Sequence, residues 1–131
     1  MSILLGLHIK RTLEGNEQVK SFVGNRIFPL AFPQGVETFP FICYDMNGQQ
    51  GTKTKDGPVN DSTSISLAVV SKNYEESLIL ANLVRYAFEN KGATYAEFEA
   101  ENVGVTYNDE YVEAVDAYAV NMMLDFKTKD L

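Results

Sequence analysis

The chain has 131 residues, 45% of them hydrophobic and 22% charged, a length and composition that suit one globular domain (residues 1–131) with its own core. Its formal net charge of −7 excludes the basic footprint of a conventional nucleic-acid binder and disfavours an anionic membrane surface as partner. The single cysteine, Cys43, excludes an intramolecular disulfide and fits a cytoplasmic place of synthesis.

The opening residues, MSILLGLHIKRTL, hold a short apolar run interrupted by Gly6 and His8, with no basic residue before it. They match neither a signal peptide nor a spanning helix. Their spacing predicts a helix from about Ser2 to Thr12, with Ser2 as N-cap and Gly15-Asn16 as the stop. A second short helical turn is expected from Glu17 to Phe22, ending at Gly24.

Next comes VGNRIFPLAFPQGVETFPFICYD, Val23 to Asp45. Arg26–Phe28 and Phe39–Met46 have the aromatic and β-branched content of strands. Pro29 closes the first and Pro40 lies near the start of the second, so edge positions or bent approaches are expected. Pro33 and Gly35 belong to the connection. The glycine-rich stretch Gly48 to Asp61 reads as a long loop, and a loop of that length in a compact domain is often functional.

STSISLAVVS, Ser62 to Ser71, alternates as a half-buried strand with Ile65, Leu67 and Val69 on one face. Asn73 followed by Glu76 predicts the start of a helix through a variant of the capping box. That helix is expected to reach about Asn90 and to stop at Gly92. Its buried face is Leu80, Ala81, Leu83, Val84, Ala87 and Phe88, with Ile79 and Tyr86 on a flank. Thr94–Phe98 and Val103–Tyr107 are expected as strands. The series Tyr118, Val120, Met122, Leu124 and Phe126 marks a further antiparallel strand. The economical arrangement is α+β: a two-layer sandwich of a mainly antiparallel sheet with two helices packed on one face.

No residue pattern here carries chemistry. His8 and Cys43 could form a dyad only if the fold joined them, and Cys43 sits in an apolar strand that suits core packing. No metal-ligand spacing is present, and the carboxylates Glu97, Glu99, Glu101, Asp109, Glu110, Glu113 and Asp116 match no calcium loop and read as a solvated face. Lys53-Thr54 lacks the glycine that a phosphate-binding loop requires. The expectation is a protein without catalysis, cofactor or metal.

The order of Val23-Gly24, Arg26-Ile27-Phe28-Pro29, Pro33-Gln34-Gly35 and Phe39-Pro40-Phe41, followed by a glycine-rich loop, a strand, a helix and a strand pair, resembles the bacteriophage tail-completion family of tail-terminator and head–tail joining proteins. The likeness runs from about Leu4 to Phe126; Tyr95 to Glu113 departs from it. It implies a structural virion protein of the tail and neck, assembled in the bacterial cytoplasm. It implies self-association into a ring, usually a hexamer, that ends the tail tube, meets the neck or connector proteins, and lets DNA through without specific binding, with no membrane involved.

In that reading Phe28, Phe32, Phe41, Ile79 and Tyr86, with the loop residues Gln49, Lys53 and Lys55, are the expected assembly residues. An acidic lumen would repel passing DNA. The prolines would either limit open-ended strand pairing or serve simply as turn residues. The alternative is a small-molecule-binding or regulatory α+β domain, whose mark would be a deep apolar pocket with convergent polar groups.

Overall fold

The computed structural model describes residues 3–29, 38–46 and 61–131. Expectations for Ser2, for Phe32 and Pro33-Gln34-Gly35, and for the loop residues Gln49, Lys53 and Lys55 fall outside these residues.

Helix α1 spans Leu5–Gly15 with Leu4 in the N-cap position, so it begins later than expected and runs up to the expected stop at Gly15-Asn16. It buries Leu5, Ile9 and Leu13, spaced one turn apart, together with His8. Asn16 ends it, its N–H donating to the Leu13 carbonyl, and then starts α2, Glu17–Val23, by accepting the Val19 N–H at its side-chain oxygen. Gly24 stops α2 at φ +56° and ψ −119°, a conformation that a side chain would strain.

Strand β1, Ile27–Pro29, runs parallel to β2, Phe41–Met46. Arg26 joins them to α2: its guanidinium donates to the carbonyls of Pro40 and Phe22, at 2.9 and 3.0 Å, and its own carbonyl accepts the Ile42 N–H. β1 lies at a sheet edge, as Pro29 predicts, but β2, reached through the cis Phe39–Pro40 peptide, is interior.

β3, Asp61–Ser71, leads into α3, Tyr74–Phe88. The Asn73 side chain caps α3 by accepting the Glu76 N–H at 3.0 Å. Glu76 does not return directly to the Asn73 N–H. Ser71 stands between them, its hydroxyl accepting the Asn73 N–H and donating to the Glu76 carboxylate. The helix stops at Asn90, with φ +57°, and not at Gly92. Gly92 instead begins β4, Gly92–Thr94, where an added Cβ would sit 2.9 Å from the Ala100 carbonyl. Of the strand expected over 94–98, Thr94 ends β4 and Phe98 begins β5, with residues 95–97 connecting them; β5 then runs from Phe98 to Val112 with one register shift, between Asn102 and Gly104. After a short 3-10 turn, β6, Ala117–Asp130, completes the sheet.

The strand order is β1-β2-β3-β6-β5-β4, antiparallel except for β1 against β2. The last strand is therefore central, and α3 carries the chain across the sheet to its far edge. Three helices, not two, share one core with one face: Leu5, Ile9, Val19, Val23, Leu80 and Val84 meet Ile42, Leu67, Val69, Val120, Leu124 and Phe126. The fold is α+β with a mixed six-stranded sheet. Phe41, Cys43, Val70, Ala117 and Ala119 form a smaller cluster on the other face.

Candidate assembly surface

His8 and Cys43 lie on opposite faces of the sheet, which removes the dyad. Burial pushes the Cys43 thiol above its ordinary pKa and the His8 imidazole below its own. His8 packs edge-on against Phe88, Tyr95 and Phe126, and its Nδ1 is hydrogen-bonded with the Tyr95 hydroxyl at 2.7 Å. The depressed pKa has a stability consequence. The unfolded chain takes up the proton first, near pH 6.5, so His8's contribution is complete above that pH and is lost as pH falls below it. The melting temperature is expected to drop between pH 7 and pH 5, and His8→Gln should flatten that drop; an unchanged profile in the variant would assign the drop to other groups.

Among the described residues no three His, Cys, Asp or Glu side chains converge on a metal position, and no helix is long and apolar enough to cross a membrane. The concavities are open grooves. One, of about 630 Å³, lies on the helix-free sheet face against Ser66, Ala68, Thr106, Asn108, Asn121 and Met123. Another, of about 260 Å³, lies between α3 and β5, walled by Leu78, Asn82, Arg85 and Tyr107 over Val120 and Met122.

Surface groups that could meet another protein fall in three places. The first is the β1 edge. Phe28 is half-buried there beside Phe39 and Phe41, with ring centroids of 5.9 Å for Phe28–Phe41 and 5.4 Å for Phe39–Phe41. Lys72 sits over the Phe39 ring at 4.9 Å. Phe41 itself is fully buried within the chain, so a neighbour would reach it only through the side chains that cover it. The second is the outer side of α3, where Ile79 and Tyr86 are 53% and 64% exposed two turns apart.

The third is β5, which none of the expected assembly residues includes. β4 covers only Glu99 to Glu101 of its outer edge, and the Asn102 N–H to the Lys91 carbonyl is the last bond of that ladder. Val103, Tyr107 and Tyr111 are about half-exposed or more. Tyr111 and Tyr74 both pack edge-on against Tyr118, at 5.4 Å each. The Tyr74 hydroxyl donates to Asp109 and that of Tyr111 to Asp116, bonds that raise both phenol pKa values. The charge of the chain collects here. Residues 97–116 hold seven of the eighteen acidic residues and none of the eleven basic ones, so the remainder, with eleven of each, is neutral. Counting charge by segment is the signal that would have marked this strand from sequence.

A virion chain of a native gene transfer agent particle has this fold. The two superpose with a TM-score of 0.70 over 94% of this chain and 92% of that one, at 14% identity. No family model matches the chain, and no curated protein matches it. At that identity the likeness is one of fold.

Proposed function

We propose that the chain is a structural protein of a phage-type virion, and within the virion a tail-completion ring at the head-proximal end of the tail tube. The observation that carries the reading is the fold shared along nearly the whole of both chains with a gene transfer agent virion chain. The order of short motifs from Val23 to Phe41 gives the narrower assignment to tail completion.

The sheet suits the role. Its two sides differ: β1 is three residues long and closed by Pro29, whereas on the other side the short β4 leaves most of the long β5 without a further described strand beside it. Unlike edges favour head-to-tail contacts, which form a ring when the rotation closes. The role is structural, not catalytic. The ring, hexameric in this reading, ends tube growth and offers a surface to the neck, with DNA passing through.

The deciding measurement is solution mass by light scattering after size exclusion over a concentration series, together with binding to tail tubes. A closed ring, or a chain that caps tube ends and stops their elongation, is expected. A chain that stays monomeric and ignores tube ends would overturn the proposal.

A further inference from the structure

We infer that the outer edge of β5, from Val103 to Val112, is a strand-addition site, and that its occupant is the 48–60 segment of a second copy of this chain. The inference rests on the ring reading only in taking the neighbour to be the same chain.

The edge is open in a way the other edge is not. Beyond Asn102, β5 pairs with β6 on one side and with no described strand on the other. In an antiparallel strand about half of the N–H and C=O groups point away from the partner, so about ten residues present a row of donors and acceptors that no described strand pairs. Such edges are ordinarily blunted by proline, lysine or a bulge. Val103–Val112 contains neither proline nor lysine, and its one register shift, between Asn102 and Gly104, lies at the very start.

The side chains along the edge specify a partner. Tyr107, Asp109 and Tyr111 alternate on the face that carries α3, opposite Met122, Val120 and Tyr118 of β6. The two tyrosines are 65% and 52% exposed. An aromatic, an acid and an aromatic at two-residue spacing fit a strand bearing two cations at the same spacing. One cation would lie across from Asp109, and the other over a tyrosine ring.

The chain already makes a pairing of this kind. Lys127-Thr128-Lys129 in β6 lies against β5 with Lys127 opposite Glu101 and Lys129 opposite Glu99. Lys-Thr-Lys-Asp at 127–130 has one repeat in the sequence, at 53–56, where Thr52 adds a further β-branched residue. One copy of the pattern is spent on β5's inner neighbour; the other matches its outer edge. Pairing of β5 with β5 of a second copy is disfavoured, because it would bring two strands that each carry Asp109 and Glu110 and no base side by side.

Charge reversal and re-pairing test this. Self-association of the full chain is measured by sedimentation equilibrium for wild type, Asp109→Lys, Lys53→Glu/Lys55→Glu, and the triple variant. Glu14→Lys, on exposed α1 surface, controls for net charge. Circular dichroism confirms that each variant is folded.

Asp109→Lys and the double reversal are each expected to weaken association about tenfold or more, as loss of a close cross-interface charge pair does. The triple variant should recover most of it, and Glu14→Lys should not weaken it. A ring indifferent to all the reversals overturns this inference and leaves the ring reading standing. Weakening by Asp109→Lys without weakening by the lysine reversals, or without recovery in the triple variant, overturns the 48–60 segment as occupant. A wild-type chain that is monomeric at every concentration, or recovery seen in melting temperature but not in mass, overturns the second copy. Recovery in an open dimer that never closes would support this inference and count against the ring.

Discussion

Phe126→Ala is expected to destabilise the protein by about 3–5 kcal/mol, the range for deleting a buried aromatic ring. Phe126 is fully buried near the end of the central strand, between Thr63 on β3 and Asn102 on β5. Its ring meets His8 of α1 at 5.6 Å and Phe88 of α3 at 6.2 Å, both close to perpendicular. One side chain thus touches two helices while its strand holds two neighbours together. The surrounding groups cannot collapse into the space, because His8 is tied to Tyr95 and Phe88 is itself wholly buried. Against a total stability of about 5–15 kcal/mol for a domain, the loss is a large fraction. Urea denaturation should show a lower midpoint with an unchanged slope. A change below about 1 kcal/mol would mean that the site repacks and that this contact does not hold α1 and α3 to the sheet.

The second large effect is expected at Asn102. This side chain is 2% exposed and fully engaged at the β5 register shift. Its oxygen accepts the Asn90 N–H at 3.2 Å, and its amide donates to the carbonyls of Gly104 and Asp125, both at 3.1 Å. It thereby joins the left-handed stop of α3, the irregularity in β5 and the central strand. Asn102→Asp keeps the shape and removes the donor, setting a carboxylate against two carbonyl oxygens. The expected cost at pH 7 is about 2–4 kcal/mol, from an unmade hydrogen bond and a poorly solvated charge.

The sign with pH is fixed. Burial beside carbonyls raises the aspartate pKa in the folded state, so folding takes up a proton and the variant loses stability as pH rises. Its deficit relative to the parent should therefore narrow from pH 7 to pH 5. Parity with the parent at pH 7 would remove Asn102 from this role.

Much of the framework is legible from local pattern. Asn73 predicts the start of α3 because an N-cap is a local bond, and its Oδ1 does accept the Glu76 N–H. Ile65, Leu67 and Val69 alternate into the core because a strand with one buried face must do so. Pro29 marks an edge because it lacks an N–H, and β1 is at the edge. α1 stops at Gly15-Asn16 as expected but starts later, at Leu5, as helix ends are set by weak local forces.

What the sequence by itself determined, then, is the succession of elements, their apolar faces and the α+β class, since each follows from periodicity and caps within a dozen residues. Only the tertiary structure decided the order of strands and the identity of the exposed edge. β5 gives little periodic signal past Val105 because both of its faces are exposed there, and burial on one side is what creates alternation. The central place of β6 depends on pairings with residues far away in the chain. Asn102 reads in sequence as one more polar residue, and only the meeting of the α3 end, β5 and β6 supplies its three partners. The acidic residues of 97–116 were visible one by one. The place of Asp109 and Glu110 along an edge that no described strand pairs, which turns a charge run into a surface able to receive another strand, is set by where β4 stops.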